Sequence, residues 1–253
     1  MSRAIEELAS AGVHDKVFEI IGSLPGTNIF DAPTGYGALA DKLLLAGKTV
    51  TAGDIDIDKF QADRGHPNLT LLRLDLTDPG LPLEGNAFDI AVCVEGVEHL
   101  ENQWMLARNL CRLLKPEGYL IISTPNILNF RSRVRFFLEG RYEFFKRPLV
   151  RGVSTEHDLD TYHIAPISFF ELQFVLESSG LSILQVHANK YSSRNLVSAL
   201  LRPLYKLIYA YKDSRDRKRN RGNYGELYRL ILSDEIYYGE TLIIVAQKTA
   251  AAK

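Results

Sequence analysis

The stretch NIFDAPTGYGALADKL, residues 28–43, passes from an apolar run closed by Asp31 into a loop holding Gly35 and Gly37, and then into a helical pattern. A strand, a glycine loop and a helix in this order predict the first unit of an open α/β sheet, in which ligands bind beyond the carboxyl ends of the strands. Gly35 and Gly37 lack a Cβ, so the backbone can approach a ligand there, and the next helix directs its N–H groups to the same point. The stretch therefore predicts a ligand site at the end of the first strand.

Apolar runs typical of strands alternate with amphipathic segments along the rest of the chain. An N-terminal helical region is predicted from Ile5 to Ile21, Gly47 should end the first helix of the sheet, and Ser168 and Glu171 have the spacing of a capping box at the start of a later helix. Strands that are apolar on both faces need helices on both sides, which predicts an α/β fold with a doubly wound parallel sheet. The predicted strands are Asn28–Ala32, Lys48–Gly53, Leu69–Leu74, Phe88–Val94, Tyr119–Thr124, Ser182–Val186 and Glu240–Gln247.

Bulk properties exclude several classes of protein. A chain of 253 residues with a formal net charge of −1 can bury one full core, and it favours neither nucleic acid nor an acidic membrane as an overall partner. Cys93 and Cys111 lie in apolar segments and are expected to be buried thiols. No signal core and no apolar run long enough to span a membrane is present, so a soluble cytoplasmic protein is expected. The predicted organisation is a single domain, residues 1–253, with a cofactor-binding core at 28–126, a first insert at 127–165 and a second insert at 191–239.

Three acids close three successive predicted strands. Asp31 would repel a pyrophosphate but suits a ligand with a positively charged amine, Asp54 can accept both hydroxyls of a ribose, and Asp75 can bind an adenine amino group. The spacing from Gly35 to Ala40 also matches G-x-G-x-x-A, so a nicotinamide or flavin dinucleotide is an alternative ligand.

These residues resemble a known family. The strings DAPTGYG, GDID, RLDL, FDIAVCVEGVEHLEN and LLKPEGYLIISTPN are together similar to the class I S-adenosylmethionine-dependent methyltransferases, and within them to the bacterial group of ubiquinone-biosynthesis and sugar O-methyltransferases. The resemblance implies a Rossmann-like seven-stranded sheet, mostly parallel with an antiparallel last strand, and inserts after strands 5 and 6. It also implies S-adenosyl-L-methionine as cofactor. Pro33 stands where the family pattern D-x-G-x-G-x-G has its first glycine.

Carried over by motif, the resemblance gives roles to individual residues. The loop from Asp31 to Gly37 would meet the methionine part of the cofactor, Asp54 the ribose, and Glu95 the methionine amine or the reacting centre. The residues expected to bind the cofactor are Asp31, Ala32, Gly35, Gly37, Asp54, Ile55, Asp75, Leu76 and Glu95.

Methyl transfer to an aliphatic or sugar hydroxyl needs a base to remove the proton, and the pKa of histidine suits this task. The candidates are His163 and His99, with Glu98 behind them. His157, Asp158, Asp160 and His163 contain metal-ligand chemistry, but their spacing fits no specific site, and no metal is expected.

The inserts should form the acceptor pocket, because the cofactor uses the parallel core. Residues 127–165 mix aromatic and basic side chains and predict either a lid or a helical hairpin that packs on the core. The second insert has eight basic residues against two acids between Arg202 and Arg221, and residues 196–221 predict either an amphipathic helix touching anionic lipid or a solvated segment. No base-stacking pattern favours nucleic acid.

The sequence therefore predicts O-methylation of a small molecule or a sugar intermediate by in-line transfer. An NAD-dependent oxidoreductase and a non-catalytic methyltransferase-like binding protein are the alternatives, the second because Pro33 would then mark a lost site.

Overall fold

Seven strands form one mixed sheet in the computed structural model, which describes residues 5–145, 162–219 and 225–249. In chain order the strands are β1 Asn28–Asp31, β2 Thr49–Asp54, β3 Leu69–Arg73, β4 Phe88–Cys93, β5 Leu114–Pro125, β6 Leu181–Ala188 and β7 Thr241–Lys248. Their order across the sheet is β3-β2-β1-β4-β5-β7-β6. Strand β7 pairs antiparallel with β5 and β6, and every other pairing is parallel. The seven predicted strands and the antiparallel last strand are thus confirmed.

The strand order reverses between β1 and β4. The chain moves outward from β1 to β3 and then returns to place β4 on the other side of β1. Asp31, the last residue of β1, lies in register with Ala52 of β2 and Val92 of β4. The loops that follow β1 and β4 leave this point in opposite directions and open a crevice between them.

Helices cover both faces of the sheet. In the part of the chain that the structure describes they are α1 Val13–Ser23, α2 Ala38–Leu45, α3 Gln103–Leu113, α4 Phe130–Glu139, α5 Phe169–Ser178, α6 Leu196–Lys218, α7 Gly225–Ile231 and α8 Asp234–Tyr238, with 3₁₀ turns at Ile57–Lys59 and Val97–His99.

Successive strand residues enter two separate apolar cores. Ile29 packs with α1 and α2, whereas its neighbour Phe30 packs with α3 and α5. Ile243 and Ile244 of β7 divide in the same way. Because side chains alternate across a strand, a strand that is apolar throughout can face two helical layers, and the predicted doubly wound arrangement is confirmed.

Two predicted boundaries are wrong. Helix α1 begins at Val13, not near Ile5, because Gly12 at its N-cap has a φ of 82° and turns the chain out of the helix. Strand β5 begins at Leu114, five residues before the predicted start at Tyr119. The capping box of Ser168 and Glu171 at the start of α5 is confirmed.

The two inserts contribute helices outside the sheet. Helix α4 follows β5, and residues 146–161 of the first insert lie outside the described residues. Helices α6, α7 and α8 follow β6. None of the described helices combines the length and the apolar character that crossing a bilayer requires. Cys93 and Cys111 are buried thiols, as expected.

Candidate active site

A cavity of about 460 Å³ opens at the carboxyl ends of β1 to β4. Its wall is formed by the loops after these four strands, by the N-terminal segment and by His163 of the first insert. Among its lining residues, five are acids and six are large and aliphatic: Glu6, Asp54, Asp56, Asp75 and Glu95, and Leu8, Ile55, Leu74, Leu76, Val94 and Leu100. The cavity combines negative charge with apolar surface and suits a ligand that carries both a cation and a flat ring.

Asp31 lies buried behind this wall. Its side chain is 1% exposed, and Oδ2 accepts a 2.8 Å hydrogen bond from the Thr34 hydroxyl. Burial raises the pKa of Asp31 to about 7, and the charge of Asp54 adds to the rise, while the Thr34 hydrogen bond opposes it. The charge of Asp54 therefore influences the pKa of Asp31 across the glycine loop.

Asp54 connects the loops that follow β1 and β2. Its Oδ2 accepts a 2.8 Å hydrogen bond from the Gly35 N–H, and its Oδ1 accepts one of 3.0 Å from the Asp56 N–H. Gly35, Asp54 and Ile55 all line the cavity, as predicted for a ligand site at the strand ends.

The two glycines of the loop have different surroundings. Gly35 has a φ of 54° and faces the cavity. Gly37 has a φ of 83°, is the N-cap of α2 and lies against Phe60, whose ring is 2.5 Å from the position a Cβ would take. Gly37 is absent from the cavity wall among the described residues, and so are Ala32 and Asp31. The observed reason for glycine at position 37 is therefore the packing of Phe60.

Pro33 lies on the cavity wall and packs on Gly96. A Cβ on Gly96 would lie 2.5 Å from Cδ of Pro33 and 3.1 Å from Sγ of Cys93. The Ala32–Pro33 peptide bond is cis. Pro33 thus joins the loop after β1 to the loop after β4.

Asp75 and Leu76 follow β3 at the far side of the cavity. Oδ1 of Asp75 accepts 2.7 Å hydrogen bonds from both the N–H and the hydroxyl of Thr77, which fixes the carboxylate at the rim. Leu76 is buried and contributes apolar surface beside it, together with Leu74.

Glu95 holds the N-terminal segment onto the site. Glu95 is the second residue after β4 and has an unusual φ of 43°. Its Oε2 accepts a 2.8 Å hydrogen bond from the Ser10 N–H, and its Oε1 accepts a 2.9 Å bond from the Thr241 hydroxyl. Glu6, Leu8 and Ala9 consequently line the cavity. The sequence pattern did not identify this wall, because apolar Ile5 and Leu8 fitted the spacing of a helix.

His99 and His163 meet at one end of the cavity. Their ring centroids are 4.8 Å apart and the ring planes cross at 78°. Nδ1 of His99 lies 3.0 Å from the carbonyl oxygen of Tyr162, which can only accept a hydrogen bond. Nδ1 must therefore carry the proton, and in neutral His99 the basic lone pair is on Nε2.

Glu98 fixes the segment that carries His163. Its carbonyl oxygen accepts hydrogen bonds of 3.1 and 3.0 Å from the N–H groups of Ile164 and Ala165. The Gln103 side chain adds a 3.1 Å bond to the Ala165 carbonyl. The two histidines, distant in the sequence, are brought together by these contacts.

Burial sets the protonation of Glu98 and His163. Glu98 is fully buried, and burial raises its pKa to about 8, with the charge of Glu95 adding to the rise. Burial also lowers the pKa of His163 to about 4, and the charge of His99 lowers it further. At neutral pH, Glu98 is largely protonated and His163 is neutral. Glu98 lies behind the cavity wall, whereas His99 and His163 line it.

Glu98, His99 and His163 also offer three metal-ligand atoms within 4.8 Å of one another. Both carboxyl oxygens of Glu98 and Nδ1 of His163 are buried without a hydrogen-bond partner among the described residues. The sequence did not indicate this grouping, since the two histidines are 64 positions apart. His157, Asp158 and Asp160 lie outside the described residues.

Comparisons with known proteins identify the family of this chain. A family model described as a methyltransferase domain matches residues 30–122. The ubiquinone biosynthesis O-methyltransferase of Coxiella burnetii is 30% identical over 174 residues, which cover 67% of this chain and 69% of that protein. The protein of the same name from Bordetella avium is 29% identical over 170 residues, covering 64% and 67%.

Solved structures show the same fold. An S-adenosylmethionine dependent methyltransferase from Mesorhizobium loti is 15% identical, with a TM-score of 0.54 and coverage of 93% of this chain and 98% of that one. The 1,6-didemethyltoxoflavin-N1-methyltransferase of Burkholderia thailandensis, solved with S-adenosylhomocysteine, is 13% identical, with a TM-score of 0.50 and coverage of 94% and 77%. At these identities the likeness concerns the architecture of the chain.

Proposed function

The chain belongs to the class I S-adenosylmethionine-dependent methyltransferase family, and from this premise we propose that it methylates a hydroxyl oxygen of a small molecule or sugar intermediate. The relatives named as O-methyltransferases of ubiquinone biosynthesis support oxygen as the acceptor atom. They favour neither an NAD-dependent oxidoreductase nor a non-catalytic binding protein.

The residues at the strand ends fit S-adenosylmethionine. Its amine and sulfonium are cations, and five acids line the cavity. Asp54 would accept hydrogen bonds from the ribose hydroxyls, while Asp75 and Leu76 would hold the adenine, the first by its carboxylate and the second by apolar contact. Buried Asp31 and the nearby Glu95 supply negative potential at the methionine end. Ile55 and Gly35 complete the wall. Pro33 has no N–H to donate to a ligand. It is compatible with this wall because the loop also directs its Gly35 N–H to Asp54 and not into the cavity.

When bound, S-adenosylmethionine supplies an electrophilic methyl group on a positively charged sulfur. The protein's part is to align the acceptor, to exclude water and to receive a proton, and alignment alone can lower a barrier by several kcal/mol. Residues 6–9, held over the cavity through Ser10 and Glu95, exclude water from one side.

His99 is the general base. The hydrogen bond to the Tyr162 carbonyl orients its ring and places the accepting lone pair on Nε2. This nitrogen would accept the proton of the acceptor hydroxyl, while the cofactor would supply the methyl group, its sulfur–methyl bond breaking as the oxygen–methyl bond forms, and would leave as S-adenosylhomocysteine. His163, whose pKa burial lowers to about 4, stays neutral beside it at neutral pH. Glu98 holds its own proton at neutral pH and so positions the His163 segment instead of acting as the base.

The observation that carries this assignment is the pairing of His99 with the Tyr162 carbonyl at the mouth of an acid-lined cavity. Transfer of labelled methyl from S-adenosylmethionine to pyrocatechol and to methyl glucoside tests it. His99→Gln should lower kcat about 100-fold and leave the Kd for S-adenosylhomocysteine within about twofold. His66→Gln, outside the cavity wall, is the matched control.

A metal-dependent mechanism predicts a different result at the same three side chains. Activity lost on treatment with a chelator and restored by a divalent cation would show that Glu98, His99 and His163 act as ligands. Unchanged activity after chelation supports His99 as the base. Failure of both acceptors to be methylated, with S-adenosylhomocysteine still bound, would count against a hydroxyl acceptor.

A further inference from the structure

Helix α6, Leu196–Lys218, carries an exposed apolar face that the proposed methyl transfer does not use. Eight large side chains on it are between 38% and 76% exposed: Leu196, Val197, Leu200, Leu201, Leu204, Leu207, Ile208 and Tyr211. At about 100° per residue they lie within an arc of about 140°, and they extend for about 22 Å along the helix. A single continuous apolar stripe of this length is typical of an interaction surface.

The opposite face of α6 fixes the helix to the protein. The Tyr237 hydroxyl donates a 3.0 Å hydrogen bond to the Ser198 carbonyl, and Arg202 forms a 2.6 Å ion pair with Asp234. Tyr205 packs on Tyr237 with ring centroids 5.7 Å apart. The apolar stripe is therefore held outward on an anchored helix.

Basic residues continue the stripe toward the C-terminus of the helix. Arg215, Lys218 and Arg219 are exposed and lie on the same side of the helical wheel as the apolar residues. The two acids of α6 point elsewhere, since Asp213 pairs with Arg217 at 2.9 Å and Asp216 accepts a hydrogen bond from the Tyr228 hydroxyl. The outward face is thus apolar, then cationic, and carries no carboxylate within α6.

The distribution of apolar and cationic side chains on this face favours one kind of binding partner. A second copy of the chain would need acids to meet these cations in a symmetric pairing, and the face offers none. The formal net charge of the chain is −1, so the cations are a local feature of the helix. An anionic bilayer complements this face, because its acyl chains are apolar and its headgroups carry negative charge.

We infer that α6 docks the protein on anionic phospholipid membranes, with the apolar stripe in the acyl boundary and Arg215, Lys218 and Arg219 at the headgroups. The helix lies in the plane of the membrane surface. The inference is independent of the methyl acceptor and rests on no residue of the cofactor cavity.

Cosedimentation of the purified full chain with vesicles tests this docking. The chain should bind vesicles of phosphatidylcholine mixed with phosphatidylglycerol much more tightly than vesicles of phosphatidylcholine alone, and salt should weaken the binding. Leu200→Asp should lower the affinity about tenfold, because it places a negative charge in the apolar stripe. Leu45→Asp on α2, at a leucine that is 81% exposed against 70% for Leu200, should leave the affinity unchanged. Replacing Lys218 and Arg219 by Gln should cost about fivefold for each cation removed.

Circular dichroism and S-adenosylhomocysteine binding report whether each variant is folded. Equal binding to both vesicle types, or equal loss with Leu45→Asp and Leu200→Asp, would overturn the inference. Sedimentation velocity tests the alternative that this face joins two copies of the chain. A dimer that Leu200→Asp dissociates, without vesicle binding by the wild-type chain, would show instead that the face joins two copies.

Discussion

The backbone N–H of Ser10 donates a 2.8 Å hydrogen bond to Oε2 of Glu95, two residues that are 85 positions apart. The bond closes the N-terminal segment over the cavity, and the Thr241 hydroxyl occupies the other carboxylate oxygen at 2.9 Å. Glu95 is therefore a joint between the segment before α1, the end of β4 and the start of β7.

Replacement of Glu95 by Gln should weaken cofactor binding. The amide oxygen can still accept from the Ser10 N–H and the NH₂ group can donate to the Thr241 hydroxyl, but both contacts lose the strengthening that a charged acceptor gives. A hydrogen bond to a charged group contributes about 1.5–3 kcal/mol, and we expect the Kd for S-adenosylhomocysteine to rise at least tenfold in calorimetry. Glu6→Gln, at an exposed acid on the same cavity wall, is the control. Equal effects of the two substitutions would mean that Glu95 acts through charge alone.

Cofactor binding should release a proton near neutral pH. Asp31 keeps its proton up to about pH 7 because it is buried and because Asp54 is charged. A cationic ligand beside Asp54 favours the ionised form of Asp31, so affinity should rise as pH rises through about 7. Calorimetry in buffers of different ionisation enthalpy measures the released proton. Asp31→Asn should remove the pH dependence, and its persistence would place the titrating group elsewhere.

The stability of the protein should depend on Glu98. Its pKa is raised from 4.5 to about 8, so the stabilising contribution of the protonated form is complete below about pH 4.5 and is lost as pH rises through about 8. The Glu98→Gln side chain cannot ionise. Its free energy of unfolding, relative to that of the wild type, should therefore increase by about 4 kcal/mol between pH 5 and pH 9. Urea denaturation across this range measures the difference. Exposed Glu101→Gln provides the comparison, and a Glu98→Gln curve parallel to that of the wild type would contradict the prediction.

The two glycines at positions 37 and 47 should differ in their tolerance of alanine. Both have a positive φ, 83° and 77°, so each alanine carries the cost of the left-handed region, about 1–2 kcal/mol. Only at position 37 would the Cβ meet the Phe60 ring, at 2.5 Å, whereas nothing lies within 4 Å at position 47. Gly37→Ala should therefore lower the free energy of unfolding by about 1–3 kcal/mol more than Gly47→Ala. Similar losses in chemical denaturation would show that Phe60 moves aside.

The sheet was predictable because each strand carries its own apolar pattern and each loop its own glycine or acid. Gly35, Asp54 and Asp75 were expected at the strand ends and lie around one cavity. Such residues are placed by the strand directly before them, so local sequence fixes their position.

The remaining part of the site depends on contacts between distant segments. Ser10 contacts Glu95 through its N–H, and Tyr162 contacts His99 through its carbonyl oxygen. Every residue type except proline has both groups, so the identity of Ser10 or Tyr162 does not predict the contact. The packing of Phe60 on Gly37, which the sequence did not predict, has the same origin. No period or motif in one segment reports what another segment will place beside it.

The contact between Pro33 and Gly96 constrains how related chains can diverge. The proline ring fills the space in which any side chain at position 96 would begin. A relative with glycine at position 33 would lack the two nearest atoms, Cδ and Cγ of the proline, and a small residue at 96 would then meet the Cys93 sulfur at 3.1 Å. Positions 33 and 96 are thus expected to change as a pair during evolution, and chains with proline at position 33 should have glycine at position 96.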